Sequence, residues 1–123
     1  MGKNLIQQAR GKGSPTYRAP SFRYKGKAKL KSFKNSSDLV EGRIVDIIKC
    51  PGHSTPLFDI QYGDGEKVLT IATEGIGVGD KITSGKGGDV EPGNTLTLAE
   101  VPSGTHIHNI ESMPGDGGKF VRS

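Results

Sequence analysis

The sequence lacks the features that mark several large classes of protein. It has one cysteine, Cys50, so no internal disulfide can form, and this favours a reducing, cytoplasmic location. No run of 18 apolar residues occurs and no apolar stretch follows Met1, so we expect neither a membrane span nor a secretory signal. Only 32% of the residues are hydrophobic, so a large core is not expected in this chain.

Acidic residues are absent from positions 1–34, which carry 10 of the 17 Lys and Arg residues. The rest of the chain holds 7 basic residues and all 13 acidic ones, a formal charge of −6. We call residues 1–35 the basic arm and the remainder the acidic body. This division of charge indicates a polyanionic partner. The arm has no sustained apolar period, so we expect it to be extended or irregular and ordered by that partner.

Aromatic residues lie among the cations of the arm, in Tyr17-Arg18 and in the run from Phe22 to Lys25. Cations contact phosphates, whereas aromatic and guanidinium planes stack on bases. An irregular arm suits the irregular surface of a folded RNA better than a regular DNA duplex. The pattern therefore favours RNA binding, with a solvated tail or a localisation signal as the alternative.

The acidic body has the sequence pattern of an all-β fold. Short segments rich in β-branched and apolar residues are separated by Gly and Pro turns, and GDGE at 63–66 is typical of a hairpin turn. No long helical pattern occurs, so we expect a small barrel, OB-like by preference and SH3-like as the alternative. The segments with strand character are 42–49, 56–62, 67–73, 81–84, 94–101 and 105–111.

Chemically reactive patterns are weak in this sequence. Cys50-x-x-His53, with His106 and His108, has residue types that bind zinc, but the spacing is unusual, and we expect no metal or other cofactor. No Ser nucleophile motif occurs and GDGGKF lacks the Walker pattern, so we expect no enzyme activity and no small-molecule substrate. Backbone N–H groups of 115–118 form either an anion nest for an RNA phosphate or a plain tight turn.

The segment LIQQARGKGSPTYRAPSFRYKG resembles the N-terminal arm of the archaeal branch of the universal large-subunit ribosomal protein L-two family. VDIIKCPGHSTPL, TEGIGVGD, PGNTLTLAEVPSGT, HNIE and PGDGGKFVRS resemble the same family in the same order, so the similarity extends from Lys3 to Ser123. Two departures stand out. Cys50 to His53 replace the family's usual Asp-Pro-Gly-Arg, and Thr73 stands where Pro is usual. Histidine, unlike arginine, is not a permanent cation, so an RNA contact at His53 is expected to be weaker.

The resemblance implies a basic arm at 1–35, an OB-fold-like barrel at 36–90, and a linker with the first strands of an incomplete SH3-like domain at 91–123. It implies a structural protein of the large ribosomal subunit in the cytoplasm, with large-subunit rRNA and neighbouring ribosomal proteins as partners. Support of assembly, subunit association and the peptidyl-transferase region is also implied. The alternative is a stand-alone OB-fold protein that binds single-stranded RNA through its barrel.

From the resemblance and the arm's composition together we predict one set of rRNA contacts, made of basic, aromatic and polar side chains. Its members are Lys3, Gln7, Gln8, Arg10, Lys12, Ser14, Tyr17, Arg18, Phe22, Arg23, Tyr24, Lys25, Lys27, Lys29, Lys31, His53, Lys119 and Arg122. The family implies that a second barrel and a long basic tail follow, and we expect this chain to stop just inside the second barrel.

Overall fold

The computed structural model describes residues 2–32 and 38–122. In these residues the regular structure consists of four β-strands and three short 3-10 turns, which confirms the predicted all-β class. The strands are β1 (Val40–Ile48), β2 (Leu57–Tyr62), β3 (Lys67–Ile71) and β4 (Lys81–Ser84), and the turns are Ile6–Ala9, Ser21–Arg23 and Leu98–Glu100. Within that described part, no helix has the length and apolar character needed to cross a bilayer.

The four strands form one antiparallel sheet in the order β3-β2-β1-β4. The predicted turn at 63–66 joins β2 to β3, where the Tyr62 N–H donates to the Glu66 carbonyl over 2.9 Å. A bulge between Ile44 and Asp46 breaks the register of β1 and bends the strand, as bulges do. The sheet is consistent with a small OB-fold-like barrel, although β3 and β4 stay at opposite edges and do not close it.

The sheet packs apolar side chains on both of its faces. Successive strand residues point to opposite sides, so Phe58 belongs to one core and Leu57 to the other. The larger core contains Ile44, Phe58, Ile60, Tyr62 and Ile82. The smaller core contains Ala28, Cys50, Leu57 and Ile71. Ala28 comes from the basic arm, so part of the arm belongs to the folded unit.

The segments after β4 differ from the prediction. The strand predicted at 105–111 is wrong, because only a single bridge between Ile110 and Phe120 forms there. Residues 94–101 likewise make one bridge, from Thr95 to Ser84, and then turn into the 3-10 segment. A strand needs a neighbouring strand to satisfy its backbone groups, and a short apolar pattern does not supply one. The SH3-like assignment of 91–123 stays a prediction, and the arm–body boundary at 35 and 36 lies outside the described residues.

Candidate nucleic-acid interface

The predicted contact residues differ in how far the fold exposes them. Most are exposed: Lys3, Gln7, Gln8, Arg10, Lys12, Arg18, Phe22, Arg23, Tyr24, Lys25, Lys27, Lys29 and Lys119. Ser14, Tyr17, His53 and Arg122 are half-buried, and Lys31 is buried.

The outer part of the arm, residues 2–23, has local turns but no buried residue. The Leu5 N–H donates to the Gln8 side-chain carbonyl over 2.9 Å, which fixes the start of the first 3-10 turn. A second turn is closed by the Tyr17 and Arg18 N–H groups, which both donate to the Ser14 carbonyl. Local hydrogen bonds therefore shape this segment while its cations remain in solvent.

Cations and aromatic rings are paired along the outer arm. The Arg10 guanidinium lies 5.6 Å from the centre of the Tyr17 ring, and that of Arg23 lies 5.4 Å from the Phe22 ring. Both distances are within the range of cation–π attraction. Phe22 is 83% exposed, although a ring of this size is normally removed from water. Each pair places a positive charge over one face of an aromatic ring, so a phosphate-binding group and a stacking group lie at the same point of the arm.

A concave surface of about 500 Å³ lies between the turn closed on the Ser14 carbonyl and the 3-10 turn Ser21–Arg23. Arg18 and Phe22 line it, together with Pro15, Ala19, Pro20 and Ser21. A guanidinium and an exposed ring beside two prolines are groups that can contact a phosphate and a base.

The inner part of the arm, residues 24–32, docks on the sheet. The Lys25 N–H donates to Cys50 Sγ over 3.4 Å, and the Lys29 N–H donates to the Leu69 carbonyl over 2.8 Å. The second bond covers the exposed edge of β3, which would otherwise present unpaired backbone groups. Gly26 passes so close to Leu69 that a β-carbon at this position would lie 2.9 Å from Leu69 Cδ1. The arm is therefore anchored before its outer part begins.

The environment of Lys31 differs from that of the other arm lysines. Its ammonium contacts the carboxylates of Asp64, at 2.7 Å, and of Glu66, and it lies 5.0 Å from the centre of the Tyr62 ring. The Lys31 side chain is only 4% exposed. Burial alone lowers the pKa of Lys31, but the hydrogen bonds to both carboxylates outweigh it and the pKa is raised. The phosphate contact at Lys31 stays a prediction that this geometry disfavours, because two carboxylates already pair with the ammonium.

The end of the chain packs against the inner arm. The Leu30 N–H donates to the Gly117 carbonyl over 3.0 Å, and Arg122 Nη2 donates to the Ala28 carbonyl over 2.6 Å. Lys119 remains exposed, 3.9 Å from the Asp116 carboxylate. These contacts bring Lys119 and Arg122 to the same side of the molecule as the inner arm, although about 90 positions separate them in sequence.

The backbone N–H groups proposed as an anion nest already have partners. Gly115 and Gly117 donate to the Glu111 carboxylate, and Gly118 donates to that of Asp116. The N–H groups of residues 112 and 113 also donate to Asp116, and the Met113 bond is the largest of the contacts that lower its pKa. The chain's own carboxylates occupy this turn, so the turn alternative fits the structure better than an open phosphate site.

Cys50 and His53 lie under the inner arm. The Cys50 thiol is 1% exposed, and its pKa is lowered to about 7, first by the Lys25 N–H and then by His53, against the opposing effect of burial. His108, in contrast, hydrogen-bonds Thr73 over 2.9 Å. No group of three or more His, Cys, Asp and Glu side chains suited to a metal occurs in the described ranges 2–32 and 38–122.

Sequence reasoning missed three residues that hold the inner arm, namely Ala28, Asp64 and Glu66. Asp64 and Glu66 are ordinary turn residues by pattern, and Lys31 is one of several similar lysines. The alternation of Lys with Ala28 and Leu30 in KAKLK was the available signal, because it is the pattern of a segment lying on a surface.

Comparison with known proteins adds independent information on the arm and the sheet. Residues 3–84 match the family model described as Ribosomal Proteins L2, RNA binding N-terminal domain. The chain is 51% identical to the large ribosomal subunit protein uL2 of Methanocella arvoryzae, over 100% of this chain and 51% of that protein. It is 47% identical to the uL2 proteins of Natronomonas pharaonis and Methanosphaera stadtmanae, over 100% of this chain and 50% and 52% of theirs.

The chain thus spans about half the length of the relatives it matches. The family model covers well over half of the chain, and the relatives align with all of it. Both findings confirm the resemblance predicted from the sequence motifs: the chain belongs to the ribosomal protein L2 family.

Proposed function

We propose that this chain is a structural rRNA-binding protein of the large ribosomal subunit, and that the basic arm is its main contact with RNA. One observation carries the proposal: the arm exposes cations and aromatic rings together, while the body carries the acidic residues. Its relatives are named as large-subunit proteins and its family model as an RNA-binding domain. The corresponding location is the ribosome in the cytoplasm, and large-subunit rRNA and neighbouring ribosomal proteins are its partners.

The proposed mechanism is recognition without covalent chemistry. Exposed Lys and Arg side chains of the arm neutralise phosphates, and Tyr17, Phe22 and Tyr24 stack on bases or fill crevices of the RNA. Lys119 and Arg122 extend this surface where the end of the chain meets the inner arm. His53 adds a weaker contact. Gln7, Gln8 and Ser14 supply hydrogen bonds to phosphate or 2′-hydroxyl groups.

We further propose that these contacts support subunit assembly, the association of the two subunits and the peptidyl-transferase region. The support for this finer role is membership of the L2 family; the chain spans about half the length of the relatives it matches. The chain contributes by fixing a folded unit to rRNA through a positioned arm. It is proposed to act as a structural component and not as an enzyme.

The alternative, a stand-alone OB-fold protein that binds single strands on its barrel, fits the sheet less well. Such proteins stack bases on exposed aromatic side chains of the barrel. The four strands contain only two aromatic residues, Phe58 and Tyr62, and both are buried, at 2% and 4% exposure. The exposed aromatic rings of the described residues lie outside the four strands: Phe22 (83%) and Tyr24 (40%) on the arm, and Phe120 (54%) in the segment that packs against the inner arm.

The experiment that separates the two functions removes residues 2–23 and keeps the inner arm that packs on the sheet. Binding of in vitro transcribed large-subunit rRNA is measured by filter binding between about 50 and 200 mM salt. The deletion removes five cations, so the slope of log affinity against log salt should decrease by about 3.5 to 4.5 units if each contacts a phosphate. Unchanged affinity and slope would favour the barrel-binding alternative and contradict our proposal.

A further inference from the structure

We propose that Lys31 is a positioning residue: together with Asp64 and Glu66 it clamps the inner arm to the β2–β3 turn and sets the direction in which the outer arm meets RNA. We call these three residues the arm clamp. The inference deepens the proposed function and rests on it, because it assigns a role that improves RNA binding without touching RNA.

The burial of Lys31 is the first observation behind the clamp. Lysine is almost never buried without a partner, and here the side chain is 4% exposed with its ammonium between two carboxylates and over the Tyr62 ring. A phosphate could reach the ammonium only if these contacts were broken. The charge of Lys31 is therefore paired within the chain, with two carboxylates of the β2–β3 turn.

The second observation is that the clamp closes a continuous set of contacts. Towards the N-terminus from Lys31, the N–H groups of Leu30 and Lys29 donate to Gly117 and Leu69, and Ala28 is buried in the smaller core. Each of these contacts is weak alone, but in series they fix the path of the inner arm.

The third observation is the position of the clamp in the fold. Asp64 and Glu66 lie in the tight turn between β2 and β3, and the Asp64 side chain also accepts the Glu66 N–H over 3.1 Å. Backbone hydrogen bonds close this turn, from the Tyr62 N–H to the Glu66 carbonyl (2.9 Å) and from the Gly65 N–H to the Tyr62 carbonyl (3.0 Å), so the two carboxylates have a defined place relative to the sheet. Fixing the arm in advance reduces the ordering that RNA binding must supply, and that favours affinity.

The first test uses salt dependence, since it counts the cations that contact phosphate. Lys31→Met keeps the length of the side chain and removes its charge, and Lys27→Met makes the same change at an exposed position. With large-subunit rRNA as the probe, Lys27→Met should lower the salt slope by about 0.7 to 0.9 units. Lys31→Met should leave the slope unchanged while reducing affinity by about fivefold to tenfold through loss of positioning. An equal loss of slope in both variants would overturn the inference.

The second test uses the sign of the effect. Asp64→Asn with Glu66→Gln removes two negative charges, so simple electrostatics predicts tighter RNA binding. Loss of the clamp predicts weaker binding. The control Asp89→Asn with Glu91→Gln neutralises two exposed acids outside the clamp and should tighten binding slightly. If the clamp variant binds RNA as tightly as this control, the inference fails.

Two further controls separate positioning from general destabilisation. Ile44→Val weakens the larger core, which does not contain the arm, and should leave RNA affinity unchanged. Lys31→Arg keeps the charge and should restore the affinity that Lys31→Met loses. Hydrogen exchange on the unbound protein should show protected Lys29 and Leu30 amides in the wild type and faster exchange in Lys31→Met. Unprotected wild-type amides would overturn the clamp. A wild type with no salt-dependent binding would instead refute the proposed function, whatever the exchange result.

Discussion

The exposed ring of Phe22 offers a direct test of the arm as an RNA-binding element. Phe22 is 83% exposed, so Phe22→Ala removes almost no buried surface from the free protein. We expect the free energy of unfolding to change by less than about 0.5 kcal/mol, as for most surface substitutions. The buried Phe58 is the contrasting position, where truncation to Ala should cost about 3 to 5 kcal/mol.

In the complex, the same substitution should have a large effect. Stacking of a base on an aromatic side chain contributes about 1 to 3 kcal/mol, so Phe22→Ala should weaken rRNA binding by roughly 5- to 150-fold. The salt slope should stay unchanged, because no charge is lost. Filter binding at a fixed salt concentration measures the affinity, and a salt series measures the slope.

Two control variants make the result specific. Phe22→Tyr keeps the ring and should bind almost as the wild type does. Leu5→Ala removes an apolar side chain of the outer arm that is 60% exposed but has no aromatic face, so its effect should be clearly smaller. If Phe22→Ala binds with wild-type affinity, or if Leu5→Ala is equally impaired, stacking at Phe22 is refuted.

Three further predictions concern the docking of the inner arm. The hydrogen bond from Lys31, and after it that from the Glu66 N–H, holds the pKa of Asp64 below its ordinary 3.8. Because this pKa is lower in the folded state, ionised Asp64 stabilises the fold above pH 3.8. That stabilisation is lost as the pH falls through the folded-state pKa. Acid unfolding followed by circular dichroism should therefore be less steep in Asp64→Asn, and an identical curve would contradict the clamp. Gly26→Ala should lower the free energy of unfolding, measured in urea, by about 1 kcal/mol and speed tryptic cleavage of the inner arm. The reasons are that φ at Gly26 is +153° and that the new β-carbon would lie 2.9 Å from Leu69 Cδ1. If the variant is cleaved at the wild-type rate, the close packing is contradicted. Cys50 should react slowly with iodoacetamide at pH 8 in the folded protein despite its pKa of about 7, since it is 1% exposed, and rapid alkylation would mean that the inner arm lifts off the sheet.

Local sequence patterns predicted the strands of the sheet because each carries its own signal. β-branched and apolar residues, with a tight turn at 63–66, predicted β1, β2 and β3. In these segments strand propensity and the burial of apolar side chains favour the same structure. After β4 the same kind of pattern failed. Ile107 is 41% exposed and Leu98 is 60% exposed, so these apolar residues do not lie on the buried face of a strand. Strand formation there depends on a pairing partner, which a local pattern cannot reveal.

The candidate interface was predictable in composition but not in its internal contacts. The absence of acids from the arm and its interleaved aromatics are visible in the sequence, and most of those side chains are exposed in the structure. Lys31 could not be separated from Lys27 or Lys29, because the difference lies in Asp64 and Glu66, more than 30 residues away. The sequence likewise did not predict that the Glu111 and Asp116 carboxylates accept the N–H groups of the turn at 111–118, because Asp, Glu and Gly are common in turns whether or not they pair.

The central claim is that the basic arm, and not the face of the sheet, contacts the RNA. Ultraviolet cross-linking of the complex with large-subunit rRNA, followed by mass spectrometry of the cross-linked peptides, tests it most directly. We expect cross-links in residues 2–29, with further ones at 119–122. Cross-links concentrated on β2 and β3, with the arm peptides recovered unmodified, would contradict the account.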